Sequence, residues 1–352
     1  MFNPRLAEQQ LVSIYKAAYF RLYQIILEKQ ARGNATAFFR SLLSDTDRIL
    51  SQLDEATVQW ARSSIPKMYR KAILDMNMVW TQAGRNPPQL LGGFQSVHRQ
   101  AVEVLAQAFV DNMQDATQYV GRNIRDVWRQ TTLDVLVGRE TTGETLREAK
   151  ENFVHRIGAQ GIESFRDKLG REWRLDAYAD MAIRSTGREV TNTAQINQIR
   201  GTGSDLIQFT SHENPCEICA PLEGRVYSIS GNDERFPPLG LAFSEGYANI
   251  HPNCIHSLRP YVEDFDDNPA ATRRESNRSF ERDPRSQAEK ERYEAIQKEN
   301  ARKRSTRKQW EEYKAWMPDE MPSLAAFTRM KSANSERYLE LQSDFREVRQ
   351  SS

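Results

Sequence analysis

The chain has 352 residues, with 49 Lys+Arg against 48 Asp+Glu. It is long enough for two or three domains, and a formal net charge of +1 excludes both a wholly basic nucleic-acid binder and an acidic solvating protein. Apolar residues make up 39% and charged residues 28%, which argues against one thick globular core and for helical parts with thin cores or a poorly buried segment.

In chain order, Leu6 to Gln30 carries apolar residues at every third or fourth position, from Leu11 through Tyr15 and Leu22 to Ile26, the period of an amphipathic helix. Gly33-Asn34 supplies a stop. A second helical stretch, Ala35 to Leu53, is followed by a third through Trp60, Met68, Tyr69, Ile73 and Trp80. Pro66 is expected to bend or divide that third piece, because proline lacks an amide donor and clashes with the preceding turn. Gly84-Arg85-Asn86-Pro87-Pro88 marks a subdomain boundary.

Phe94 to Val137 reads as one long helix with a broad apolar stripe, ended by Gly138. Thr141 to Glu144 offers a cap for a helix over Leu146 to Ile157. Phe165 to Leu169 is too short to assign, and Asp176 to Arg200 is again helical, stopped by Gly201-Thr202-Gly203. That glycine pair is a turn rather than a phosphate loop, since no strand precedes it and no Gly-Lys-Ser/Thr follows.

At Asp205 the texture changes. Leu206 to Thr210 and Gly224 to Ile229 are short runs of strand type, set among many prolines and glycines. From Asp264 onward the chain is charged: Ala288 to Met317 reads as an exposed helix, Pro318 to Pro322 breaks it, and Leu324 to Val348 follows as one weaker helix. The expected fold is mainly α: an elongated N-terminal helical scaffold, a small zinc-stapled α+β module and a charged helical C-terminal arm. Boundaries are placed at 1–88, 89–175, 176–263 and 264–352, with part of the last segment expected to stay disordered.

The module has few apolar residues for its length and needs a staple. The three cysteines of the chain all lie there, in His212-Glu213-Asn214-Pro215-Cys216-Glu217-Ile218-Cys219 and His251-Pro252-Asn253-Cys254-Ile255-His256. An odd, clustered count beside histidines fits a metal site in a reducing compartment better than a disulfide framework. Thiolates and imidazoles at C-x2-C and H-x2-C spacing suit tetrahedral zinc, because two ligands on one tight turn can point at one ion. The expected ligands are Cys216, Cys219, His251 and Cys254, with His256 as the alternative fourth ligand and His212 in a supporting role.

Other readings are weaker. Free cysteines can be small core hydrophobes, but three of three beside histidines is unusual for that role. A thioredoxin-like pair lacks its βαβ surroundings. An HNH-type nuclease would need His251, Asn253 and His256 spread over a hairpin and helix, whereas they occupy six residues. A set that can fill all four positions points to a structural ion rather than a catalytic one, and no enzymatic activity is expected.

Arg302-Lys303-Arg304 and Arg307-Lys308 place five cations in seven residues, candidate contacts to DNA phosphates if they share a helix face. Glu299, Glu311 and Glu312 dilute their field, so a solvated face is the preferred reading. No run reaches the roughly 18 apolar residues of a membrane helix, and the N-terminus has no secretory pattern, so neither membrane insertion nor export is expected.

The stretch from Tyr178 to Pro260 resembles the minor capsid, or head-morphogenesis, family of tailed bacteriophages. The likeness lies in a helix ending in a Gly turn, then Asp205-Leu206-Ile207 leading to Ser211-His212, a ligand-rich turn, Gly224-Arg225-Val226-Tyr227-Ser228-Ile229-Ser230-Gly231, and Asn253-Cys254-Ile255-His256-Ser257. The run Arg285-Ser286-Gln287 to Tyr293 is similar to the tails of such proteins, and about half the chain is covered. The resemblance implies a virion protein in few copies, at the portal vertex or inner capsid wall, assembled in the host cytoplasm. Its implied partners are the portal protein, the major capsid protein, or both, with packaged double-stranded DNA as a further candidate. A metal nuclease and a DNA- or protein-binding adaptor are the alternatives.

Overall fold

A computed structural model describes residues 2–30, 35–82, 84, 96–141, 165–167, 170–243, 250–251, 254–317 and 319–351. The protein is mainly helical. In chain order the elements are α1 (Pro4–Gln30), α2 (Ala35–Gln82), α3 (Ser96–Thr141), β1 (Phe165–Arg166), β2 (Glu172–Trp173), α4 (Leu175–Gly201), β3 (Leu206–Phe209), β4 (Val226–Ser228), β5 (Leu258–Pro260), α5 (Pro269–Ser276), α6 (Gln287–Trp316), α7 (Leu324–Ser332) and α8 (Glu336–Ser351). The expected break over Arg85 to Pro88, the cap at Thr142 to Glu144 and the helix over Leu146 to Ile157 lie outside the described residues, as do Pro318 and Asn253.

Three sequence expectations are corrected. Pro66 does not divide its helix, for α2 runs through it. An interior proline costs about 3 kcal/mol, but Trp60, Ala61, Ile65, Met68 and Tyr69 on either side are buried. Each large side chain buried in this way contributes about 1.5–3 kcal/mol, so packing outweighs the lost amide bond. Gly138 does not end α3, which continues to Thr141; a single interior glycine costs only about 1 kcal/mol. The helix expected over Leu324 to Val348 is two helices, α7 and α8, separated at Asn334, whose φ of 46° is left-handed. Asparagine tolerates that conformation and so reverses the chain after α7, and the Ser335 hydroxyl accepts the Tyr338 amide at 3.4 Å to start α8.

The chain divides into two compact units. One comprises Met1–Ile14, Asp54–Gln114 and Ala177–Tyr293, the other Tyr15–Leu53, Asp115–Asp176 and Glu294–Ser352.

In the first unit β3 is the central strand of a three-stranded antiparallel sheet, ordered β4-β3-β5. Ile207 pairs with Tyr227 on one side and Pro260 on the other. Strand β5 was not anticipated, since at three residues it is shorter than any pattern that sequence alternation can reveal. The sheet buries Ile207, Phe209, Tyr227 and Leu258 against Ile196 and Ile199 of α4 and Met76 and Trp80 of α2. Gly203, with a φ of +74°, lies in the four-residue turn between the end of α4 at Gly201 and the start of β3 at Leu206, its amide closing on the Arg200 carbonyl. Segment 264–293 belongs to this unit. Asn268 caps α5 by accepting the Ala271 amide, and Phe280 packs on the core.

In the second unit the C-terminal segment has a core of its own. Tyr313, Met317, Phe327, Tyr338, Leu341 and Phe345 are buried together, with Trp310, Trp316 and Met330 around them. The segment 310–348 thus has a buried core, in which α7 and α8 fold back and aromatic residues predominate. The first part of α6 is exposed, as expected, and starts from a capping box in which Ser286 and Glu289 satisfy each other's amides. Arg174, Asp176, Arg307 and Glu311 form a half-buried ion network, with the Arg174 guanidinium 4.4 Å from the Tyr19 ring centre.

Candidate metal centre

The site is built from the two turns that flank the sheet. Cys216-Glu217-Ile218-Cys219 is a tight knuckle: the Cys219 amide points at Cys216 Sγ at 3.4 Å and the Ala220 amide bonds the Cys216 carbonyl at 2.9 Å. A 3-10 turn over Ala220–Leu222 then leads through Gly224, at a φ of +72°, into β4. On the knuckle's other side Arg285, held by Asp283, donates to the Pro215 carbonyl at 3.0 Å. The second turn closes with the Cys254 amide on the His251 carbonyl at 3.1 Å, just before β5. Sheet pairing of β5 with β3 thus carries Cys254 and His256 to the knuckle that precedes β4.

The structure brings all four expected ligands and the alternative together. His251 Nε2 lies 3.1 Å from both Cys216 Sγ and Cys219 Sγ, Cys219 Sγ lies 3.8 Å from Cys254 Sγ, and Cys254 Sγ lies 3.5 Å from His256 Nδ1. The donors fall into two triads, Cys216-Cys219-His251 and Cys219-Cys254-His256, that share Cys219. Cys219, Cys254 and His256 are buried, and Cys216 and His251 half-buried. The imidazole of His256 stacks on Phe209 at 4.8 Å between ring centres and meets the edge of His212 at 4.5 Å. His212, given a supporting role from sequence, is thus a wall of the His256 slot.

The electrostatics follow from crowding three sulfurs. Hydrogen bonding from Cys219, aided by His251, brings the Cys216 thiol down to about 3 against the opposing effect of burial. The bond from Cys219 likewise takes Cys254 down to about 4. Cys219 itself is driven upward by its hydrogen bonding with the Cys216 and Cys254 sulfurs and by burial. Burial opposes the charged form of His256, but its bonds to Cys254 and Glu223 outweigh burial and raise it to about 9. Two cysteinates and a third thiol with imidazole nitrogens are a donor set that zinc favours, so the residues fit the ion.

Glu223 was missed from sequence. Its Oε1 lies 2.7 Å from His256 Nε2 and accepts the His212 amide at 2.7 Å. A carboxylate four residues past a C-x2-C pair was the available signal, but nothing in the linear spacing connects it to a histidine 33 positions away. Arg225, quoted only within the family stretch, is fully buried. It donates to the carbonyls of Pro221, Ser276, Arg278 and Ser279 at 2.6–3.1 Å and stacks over Phe280 at 3.9 Å.

The basic cluster lies on α6. At about 100° per residue, Lys303, Arg304, Arg307 and Lys308 fall within an arc of roughly 140°, while Arg302 lies outside it. Lys303 pairs with Glu299 and Arg307 with Glu311, so two of the four are locally neutralised.

Comparison with known proteins gives the family. Residues 38–339 match the phage minor capsid protein 2 family. The chain belongs to it. The likeness read from Tyr178 to Pro260 thus extends over most of this minor capsid family member, well beyond half the chain. A structural protein of Lactococcus phage LL-H is 28% identical over 149 residues, covering 40% of this chain and 39% of that protein. The chain therefore matches about two fifths of that relative's length. No solved structure matches. Among the described residues no helix is long and apolar enough to cross a membrane.

Proposed function

We propose that this minor capsid family member is a virion protein that assists procapsid assembly at the portal vertex or inner capsid wall, and that its Cys/His cluster holds one structural zinc ion. The family match over residues 38–339 carries the first part of this reading. The convergence of three cysteines and two histidines supports the second. When bound, zinc would supply a cross-link between two loops, with three thiolates and one imidazole filling its four positions and none left open for chemistry. Its partners are the portal protein, the major capsid protein, or both, and it works in the host cytoplasm before entering the virion. Packaged double-stranded DNA is a further candidate partner, which the α6 cations would meet.

The test is co-expression with the portal and major capsid proteins of the same phage, followed by isolation of assembled heads. The protein is expected in the heads and bound to the portal ring; recovery with neither would reject the assembly role. Elemental analysis is expected to find one zinc per chain, lost in Cys216→Ser and Cys254→Ser. Metal-dependent nicking of plasmid DNA, abolished by His251→Ala, would support the nuclease alternative instead. DNA affinity that falls steeply with salt supports the α6 contact, and salt-independent affinity would dismiss it.

A further inference from the structure

The five donors form two triads that share Cys219, Cys216-Cys219-His251 and Cys219-Cys254-His256, and the distances discriminate between the two imidazoles. With Zn–S near 2.3 Å and Zn–N near 2.0–2.1 Å, a tetrahedron has edges of about 3.8 Å between sulfurs and about 3.5 Å between sulfur and nitrogen. The Cys219–Cys254 and Cys254–His256 separations are 3.8 and 3.5 Å. His251 Nε2 instead lies 3.1 Å from two sulfurs, about 0.4 Å inside the tetrahedral edge.

The supports differ in the same direction. His256 is 4% exposed, stacked on Phe209 and edged by His212, so its ring cannot turn away. Its far nitrogen, Nε2, faces the Glu223 carboxylate at 2.7 Å. A metal-bound imidazole characteristically gives its other N–H to a carboxylate, which fixes the tautomer and makes the ligating nitrogen more basic. His251 is only half-buried.

From this geometry we infer that His256, through Nδ1, is the imidazole that completes the tetrahedron with Cys216, Cys219 and Cys254, that Glu223 is its positioning residue, and that His251 lies outside the coordination sphere as a donor to the Cys216 and Cys219 sulfurs. The inference rests on the zinc reading above and names the ligand within it.

Cobalt(II) titrated into the full-length protein distinguishes the cases. The wild type is expected to show thiolate charge-transfer bands and the visible bands of a tetrahedral S3N site. His256→Ala should shift the visible bands and weaken affinity by about 100-fold or more, while His251→Ala keeps the band positions and binds within a few-fold of wild type. Glu223→Gln should bind about 10–100-fold more weakly with the wild-type spectrum. Shifted bands in His251→Ala, or unshifted bands in His256→Ala, overturn the assignment. Cobalt bands that persist unchanged in Cys219→Ser would instead sink the zinc reading itself. The wild type gives a second readout that needs no variant. Long-range 1H–15N spectra of the zinc protein should show His256 as the Nε2–H tautomer with Nδ1 bound, and a metal-bound His251 nitrogen would reject the proposal.

Discussion

Arg225 is a buried cation whose charge is met by carbonyl dipoles rather than by a carboxylate. Four hydrogen bonds and a ring face hold it, and burial depresses its tendency to stay charged. Substitution by Met keeps bulk but removes every donor, leaving buried carbonyls unsatisfied. Arg225→Met is expected to cost about 3–5 kcal/mol in urea unfolding. Arg225→Lys should recover little, because an ammonium cannot span four carbonyls arranged around a plane. His98 is the second informative residue. It is 2% exposed and its Nδ1 lies 3.0 Å from the Tyr69 hydroxyl, which also accepts from Asn197. Burial lowers its pKa below the usual 6.5, so the unfolded chain binds a proton more readily than the folded one. The resulting penalty is absent above about pH 6.5 and grows as pH falls toward the folded value. His98→Gln should therefore flatten the decline of stability between pH 7 and 5 relative to wild type, as read by urea midpoints, and an identical decline in both proteins would contradict this.

At the scale of elements, packing overrides one local rule and yields to another. Pro66 sits in an unbroken α2 because its neighbours are buried, so Pro66→Ala should restore an amide bond at no cost in contacts and raise stability by about 1–3 kcal/mol. Asn334 works the other way: local conformation decides where α7 ends. Asn334→Gly should be neutral or slightly stabilising, while Asn334→Val should cost about 1–2 kcal/mol because a branched side chain resists a positive φ. Both are measurable as shifts in thermal midpoint. These cases also explain what the sequence made legible. The long helices were readable because each repeats its period many times, and the Cys/His clustering because ligands on one turn are close in sequence. Strand β5 and the Glu223–His256 pair were not, since each depends on one to three residues meeting a distant partner, and the α7–α8 reversal was not, because it turns on the single residue Asn334. The aromatic core of 310–348 was underestimated because its apolar residues, though few, are large: Tyr313 and Phe345 stack with ring centres 4.2 Å apart, and aromatic rings bury much area per residue.

For the whole molecule, the two units rest on different physics. The C-terminal core of Tyr313, Phe327, Tyr338, Leu341 and Phe345 is apolar and owes nothing to the cysteines. The module spanning β3 to β5 combines a small core with the cluster, whose partners are 32 to 35 residues apart along the chain. Closing a loop of that length removes about 4 kcal/mol of entropy from the unfolded chain, judged by the cross-link relation. Chelation is therefore expected to expose 205–262 to limited proteolysis while 310–348 stays protected. Equal loss of protection in both segments, followed by mass spectrometry, would refute this division of labour.

The Arg225 clasp has a consequence for how the chain is made. Three of its four carbonyl partners lie 51 to 54 residues downstream, so a nascent chain that has emerged only as far as β5 has every strand of the sheet but a charged guanidinium with nowhere to go. Until Ser276 to Ser279 have been made, the guanidinium lacks three of its four carbonyl acceptors. Completion of this module thus waits on a segment that contributes no strand to it.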